Sequence, residues 1–273
     1  MSGLYTETRD VLRKYGVRLR RSLGQNYLID EVKRQRILEY ADLREDDRVL
    51  EIGPGIGTLT LPMAELAGHV TAIESDPLIA AILMDRLQVD NVDVIVGDAL
   101  RVDFPEFNKV VSNLPYQISS PITFRLLEHD FELAVLMYQK EFARRMVAEP
   151  GTREYSRLSV MVHFLAEVEI VDYLKPGCFF PRPRVESAVV TLKPTGFRAP
   201  AFLEDVCRAL FQHRKKKTSK SLRESFHEIR TDLSFNEVLR GLPPEILEKR
   251  VFQLRPEEIL EIAEHIEDLS GSS

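Results

Sequence analysis

Between Arg48 and Tyr138 short apolar runs alternate with helical segments, and a glycine-rich turn closes the first of those runs. Arg48–Ile52 reads as a strand, Gly53-Pro54-Gly55-Ile56-Gly57 as the turn and Thr58–Ala67 as a helix. Val70–Ile73 is the next strand and ends at Glu74; a helix over Pro77–Leu87 and strands over Val92–Val96 and Lys109–Ser112 follow. Pro121–Glu128 and Glu141–Ala148 read as helices on either side of a Leu133–Tyr138 strand. Strand and helix alternating at this spacing predict a parallel sheet with helices on both faces, an α/β domain. Leu158–Ala166 is read as helix, and Val168–Tyr173 with Glu186–Leu192 as a terminal pair of strands. Ahead of the alternation, Asp30 suits the N-cap of a helix reaching about Tyr40.

The pattern changes near Lys193-Pro194-Thr195-Gly196. Beyond it every segment reads as helical: Leu203–Gln212, a basic stretch to Phe226, Phe235–Arg240, Pro244–Lys249 and Pro256–Asp268. The 273 residues therefore divide into an α/β domain over 1–195 and a small all-helical domain over 196–273. The first opens with a basic arm containing Arg9, Arg13, Lys14, Arg18, Arg20 and Arg21. A formal net charge of −6 gives no overall attraction to nucleic acid, so the distribution of charge matters more than its sum. Cys178 and Cys207 are far apart, with no CxxC or Cys/His cluster, which argues against a disulfide framework and a structural zinc site. No signal peptide and no membrane-spanning apolar run is visible, so a cytoplasmic protein with no membrane partner is expected.

The loop Asn113-Leu114-Pro115-Tyr116 follows the Lys109–Ser112 strand. Methyl transfer to an exocyclic amine of a base is slow because the nitrogen lone pair is delocalised into the ring. Accepting both N–H protons as hydrogen bonds localises density on that nitrogen, and an Asn oxygen with a neighbouring main-chain carbonyl supplies two acceptors. Proline limits how the loop bends, and Tyr offers a face for base stacking, worth roughly 1–3 kcal/mol. A plain strand-to-turn junction would use Asn and Pro too; the order of the other motifs favours the chemical reading.

In the glycine turn the backbone can approach a ligand closely and the next helix contributes its N-terminal N–H groups. Its G-x-G-x-G pattern followed by Thr58 differs from the GxGxxG of a pyrophosphate site and suits S-adenosylmethionine, whose ammonium group suits Glu51. Glu74, at the end of the second strand, is placed to take both ribose hydroxyls, with Asp76 a lesser candidate. Asp98, in Gly97-Asp98-Ala99 after the third strand, can accept from an adenine N6 amine. All these groups fall at successive strand carboxyl ends, the edge at which open α/β sheets bind ligands.

Leu23-Gly24-Gln25-Asn26-Tyr27-Leu28, Glu51-Ile52-Gly53-Pro54-Gly55, Gly97-Asp98-Ala99, Asn113-Leu114-Pro115-Tyr116 and Phe179-Phe180-Pro181-Arg182-Pro183-Arg184-Val185-Glu186-Ser187 together resemble the KsgA-type small-subunit ribosomal RNA adenine dimethyltransferases. Gln117-Ile118-Ser119-Ser120-Pro121-Ile122 and Phe211-Gln212-His213-Arg214 resemble archaeal members most. The resemblance covers essentially the whole chain and implies a Rossmann-like, S-adenosylmethionine-dependent methyltransferase fold with a helical C-terminal domain. It implies cofactor contacts at Asn26, Leu28, Gly53, Glu74, Asp98 and Asn113. It places the target adenine against Asn113, the Leu114 carbonyl, Pro115 and Tyr116, with Phe179 as a second aromatic wall. The implied reaction is N6,N6-dimethylation of two adjacent adenosines near the 3′ end of small-subunit rRNA, within an immature small ribosomal subunit. The target base must leave its stack to enter such a pocket; no metal is needed, and a monomer is expected. Tyr27 stands where many relatives have Phe, and Arg182 interrupts what is often a run of prolines.

Arg208, Arg214, Lys215, Lys216, Lys217, Lys220 and Arg223 crowd one short part of the helical domain, and Arg144, Arg145, Arg182 and Arg184 add to the catalytic half. Clustering of one sign on an acidic chain, with few acids to compensate, predicts a phosphate-contacting face over Arg182, Arg184, Arg214, Lys215, Lys216, Lys217, Lys220 and Arg223. Arg13 to Arg21 read as a flexible arm that orders on substrate. His213 reads as a phosphate or backbone contact, and His69, His129 and His163 as structural. Two other readings stay open: a methylase of DNA or large-subunit rRNA, and an RNA-binding assembly factor that has lost catalysis.

Overall fold

Residues 3–17 and 25–271 are described by the computed structural model; Arg18, Arg20, Arg21, Leu23 and Gly24 lie outside them. In chain order the elements are α1 (Leu4–Lys14), β1 (Tyr27–Leu28), α2 (Glu31–Ala41), β2 (Arg48–Ile52), α3 (Thr60–Ala64), β3 (His69–Glu74), α4 (Pro77–Arg86), β4 (Val92–Val96), β5 (Lys109–Asn113), α5 (Ser119–Leu126) and β6 (Leu133–Gln139). Then come α6 (Lys140–Met146), α7 (Arg157–Leu165), β7 (Ala166–Leu174), β8 (Phe179–Phe180) and β9 (Ser187–Pro194). Helices α8 (Leu203–Gln212), α9 (Thr218–Ser225), α10 (Phe235–Gly241), α11 (Pro244–Glu248) and α12 (Pro256–Gly271) complete the chain.

A seven-stranded sheet runs in the order β4-β3-β2-β5-β6-β9-β7. The pairs β2/β3, β3/β4, β2/β5 and β5/β6 are parallel, as the alternation predicts. β9 is antiparallel to β6, which the expectation of a parallel sheet did not contain. The strand–helix alternation ends at β7, and β9 follows it with no α-helix between; only a crossover connection constrains a strand to run parallel. β6 reads as a nearly continuous apolar run because both faces of a central strand are covered. The chain builds outward from β2 to β4 and returns to place β5 on the other side of β2. The β2/β5 boundary is therefore the topological switch point, where a crevice opens beyond the strand carboxyl ends.

Local signals behave as their chemistry requires. Asp30 caps α2 by accepting from the Lys33 N–H at 3.0 Å, and Asp76 caps α4 by accepting from Leu78 N–H at 3.0 Å, with Pro77 at the first helical position. The basic arm differs from expectation over its described part. Residues 4–14 form α1, whose Leu4, Thr8 and Leu12, at helical spacing, are buried while the charged positions face out. Arg13 lies in this helix and pairs with Asp10 one turn away.

The chain forms two units, Met1–Ala143 with Val168–Pro194, and Arg144–Glu167 with Thr195–Ser273. The last crossing between them is at Pro194; the two earlier ones enclose 144–167, which a single boundary at 195 assigned to the first domain. Within the helical unit, the Tyr155 hydroxyl donates to the Leu254 carbonyl at 2.9 Å and its ring meets Phe211 edge-on. The Thr195 N–H also donates to the Leu165 carbonyl at 3.1 Å. Buried Val206, Cys207, Ala209 and Leu210 of α8 and Ile259, Ile262, Ala263 and Ile266 of α12 supply its apolar faces.

Candidate active site

The glycine turn after β2 carries three left-handed glycines, each facing a neighbour that a side chain would crowd. A Cβ on Gly53 (φ +71) would lie 3.1 Å from Cδ of Pro115, and one on Gly55 (φ +59) would lie 2.8 Å from Cε1 of Tyr27. The turn therefore packs directly against the Asn113–Tyr116 loop on one side and the Asn26–Leu28 segment on the other. Its register is fixed by the sheet: Gly53 N–H donates to the Ile73 carbonyl at 2.9 Å, and Ile52 N–H to the Ser112 hydroxyl at 2.8 Å.

Glu74 ends β3 at the same edge and is buried. One carboxylate oxygen accepts from the Gly55 N–H at 3.2 Å and the other from the Asp76 N–H at 3.0 Å. Burial, the larger influence, outweighs these donors and raises its pKa. Glu51 is more deeply buried, accepts from the Thr60 hydroxyl at 2.6 Å and is pushed up to about 8, chiefly by desolvation. At neutral pH its carboxyl is mostly protonated. Asp98 begins the turn after β4, accepting from the Leu100 N–H at 3.0 Å while its side chain stays half exposed. Asp76 is occupied as the α4 cap, which accounts for its lesser standing beside Glu74.

Asn26, Leu28, Gly53, Glu74, Asp98 and Asn113, the residues expected to hold a cofactor, line one cavity at the switch point, together with Pro115. Asn113 donates its side-chain N–H to the Asn26 carbonyl at 2.8 Å, leaving Oδ1 as an acceptor. The Tyr116 hydroxyl lies 2.6 Å from the Ser187 hydroxyl, which anchors the ring at the start of the turn leading into α5. Leu114 buries its side chain and so fixes the backbone that carries its carbonyl.

Phe179 is not brought to this cavity. It is 1% exposed and sits in a core cluster with Leu28, Val111, Val135 and Val189. Strand alternation explains this, since β8 pairs with β1 through Leu28↔Phe179 and Tyr27↔Phe180; the Leu28–Phe179 pair faces this core, while Tyr27 and Phe180 face a separate cluster with Ile56 and Ile79. The Phe179–Ser187 motif thus holds the Asn26–Leu28 segment over the cavity through β8 and anchors Tyr116 through Ser187. Gln25, Thr58 and Gln117 also line the cavity; they adjoin the sequence motifs, but their residue types alone gave no role.

Arg182 and Arg184 lie exposed on the loop before β9. In the helical unit Lys215, Lys217, Lys220 and Arg223 are exposed. Arg214 instead donates to the carbonyls of Arg153 (2.7 Å) and Thr152 (3.0 Å) and lies over the Phe252 ring. Lys216 pairs with Glu224 and Lys217 with Glu248, so acids that are distant in sequence do compensate part of the run. His213 faces Glu224 at 3.3 Å. Among the described residues no cluster of His, Cys, Asp and Glu is placed to hold a metal ion, and no helix is long and apolar enough to cross a membrane.

A family model described as ribosomal RNA adenine dimethylase matches residues 16–268. Over all 273 residues of both chains the sequence is 99% identical to a probable ribosomal RNA small subunit methyltransferase A of Methanothermobacter thermautotrophicus. A protein of the same description from Methanosphaera stadtmanae is 49% identical over 263 residues, covering 94% of this chain and 97% of the relative. Among solved structures, a dimethyladenosine transferase from Plasmodium falciparum aligns with a TM-score of 0.76 at 29% identity, over 88% of this chain and 97% of the other. The 23S rRNA methyltransferase ErmE aligns with a TM-score of 0.64 at 32% identity, over 89% of this chain and 100% of the other.

Proposed function

The chain belongs to the ribosomal RNA adenine dimethylase family, and from that premise we propose that its sheet-edge cavity binds S-adenosylmethionine and serves dimethylation of two adjacent adenosines near the 3′ end of small-subunit rRNA. The observation that carries the reading is the direct packing of the glycine turn on the Asn113 loop, Gly53 against Pro115, at the switch point. A donor bound along one loop and a base held by the other would meet at that contact.

The residues present fit the donor. Left-handed glycines let the backbone approach it, Glu74 keeps acceptor capacity on both oxygens, and Asp98 offers a half-exposed carboxylate. When bound, S-adenosylmethionine supplies a methyl group activated by sulfonium charge. Asn113 Oδ1 and the Leu114 carbonyl would accept the two protons of the target amine, orienting its lone pair. Tyr116, its hydroxyl tethered to Ser187, would present a ring face that holds the base out of its stack. Proximity and fixed dipoles suffice for such a transfer. The amine proton leaves to solvent afterward, and a second round on the same nitrogen uses the same acceptors.

Substrate recognition extends beyond the cavity. Exposed Arg182 and Arg184 in the first unit, and Lys215, Lys217, Lys220 and Arg223 in the helical unit, are assigned to phosphates of the rRNA. Arg214 is excluded from that set by its internal bonds.

The test is labelled-methyl transfer from S-adenosylmethionine to small subunits that lack the modification, followed by nucleoside analysis and mapping. N6,N6-dimethyladenosine at adjacent positions near the rRNA 3′ end is the expected product. Transfer confined to naked large-subunit RNA would overturn the substrate assignment, and tight particle binding with no transfer would overturn the catalytic one.

A further inference from the structure

Tyr27 is 6% exposed, lines the cavity, and carries the buried side-chain polar atom that finds no hydrogen-bond partner among the described residues. The ring has a packing role, because it lies against Gly55 where a Cβ would otherwise stand. A phenylalanine would fill that place equally well. The hydroxyl is therefore unexplained by packing, and leaving it buried and unpaired is unfavourable. Its surroundings point to a ligand. Desolvation and the nearby carboxylates of Glu74 and Asp76 raise its pKa, so it remains an O–H donor across the whole physiological range.

Glu74 and a sugar define what is missing. An ionised carboxylate only accepts hydrogen bonds, and each Glu74 oxygen already takes one backbone N–H. A ribose hydroxyl that donates to Glu74 still has an oxygen with lone pairs in a buried site, and it needs a donor. We propose that the Tyr27 hydroxyl is that donor, a positioning group that pairs with a ribose oxygen of the bound cofactor beside Glu74. This rests on the cofactor reading given above and deepens it. The hydroxyl is a feature of this chain at a position where the resemblance finds Phe in many relatives. It finds no partner among the described residues and gains one from the ligand, so it adds to discrimination for a ribonucleoside without being needed to build the fold.

Tyr27→Phe keeps the ring and removes the donor. The experiment titrates the full-length wild type and variant calorimetrically with S-adenosylhomocysteine, its 2′-deoxy analogue and its 3′-deoxy analogue, and records thermal unfolding without ligand. The expected results are an unliganded variant that melts no lower than wild type, and S-adenosylhomocysteine affinity weakened on the order of threefold to tenfold, the value of one neutral hydrogen bond. The difference between the proteins should vanish for the analogue lacking the hydroxyl that Tyr27 meets. Equal affinity of both proteins for S-adenosylhomocysteine would overturn the proposal, as would an equal loss with all three ligands or a variant that melts well below wild type. Absence of binding to the wild type itself would overturn the underlying cofactor reading, a result distinct from all of these.

Discussion

Asn113 at the end of β5 donates its Nδ2 to the main-chain carbonyl of Asn26, 87 residues earlier, at 2.8 Å. The bond fixes which end of the amide faces the cavity. Nδ2 is held by the Asn26–Leu28 segment, and Oδ1 is left for a substrate amine. The segment that contributes to the cofactor cavity therefore also sets the polarity of the catalytic side chain.

Asn113→Ala should lower single-turnover methyl transfer by about two to three orders of magnitude, the usual scale for losing one preorganised electrostatic contact to a reacting group. Binding to unmethylated small subunits, measured by filter retention, should be unchanged. If particle binding fell as far as transfer, the assignment of Asn113 to chemistry would be wrong.

Glu51 gives a pH signature. Its carboxyl ionises near 4.5 in the unfolded chain but only at about 8 when folded. Between those values the folded state binds the additional proton, so this group's contribution to stability falls as pH rises through the window. Glu51→Gln keeps a neutral acceptor for the Thr60 hydroxyl. Its stability should match wild type at the acid end and gain on it steadily toward the upper value, read as unfolding midpoints across a pH series.

Ser187→Ala should release the Tyr116 ring without touching the cofactor residues. The expected outcome is a loss of kcat of roughly tenfold, corresponding to about one hydrogen bond's worth of positioning, with S-adenosylhomocysteine affinity unchanged. Tyr116→Ala should cost more, because stacking worth about 1–3 kcal/mol goes with the ring. A Ser187→Ala variant with wild-type kcat would remove the case for a tether.

Among the basic residues the structure separates two behaviours. Replacing exposed Lys215 and Lys220 together by Gln should weaken small-subunit binding, make it less steeply dependent on salt and leave the melting temperature alone. Arg214→Ala should lower the melting temperature by several degrees, since it deprives two carbonyls of their donor and uncovers Phe252. The reverse pattern would exchange their roles.

Much of this architecture could be read from residue order. β2 and α8 occupy the spans expected, and the cavity gathers the residues whose motifs lay at strand ends, because periodicity and glycine turns are local signals. What escaped was set by distant partners. The two-residue strands β1 and β8 have no period to detect and exist only through each other. Phe179 reads as an aromatic wall until its pairing with Leu28 turns it into the core. Arg214 belongs to a basic run in sequence, yet the carbonyls it serves are some sixty residues earlier. α1 was hidden by its charges, since only Leu4, Thr8 and Leu12 mark its buried stripe.

The absence of a side chain at Gly53 is matched by the ring of Pro115, whose Cδ would lie 3.1 Å from a Cβ there. Two loops 62 positions apart in the chain (115 − 53) are therefore one object to natural selection. A lineage that gained a side chain at the first position would crowd a proline ring before any ligand entered, so change there is disfavoured while the proline stays. Descendants of a common ancestor that keep the proline should keep the glycine, and an inherited constraint of that kind ties the history of the donor loop to that of the base-holding loop.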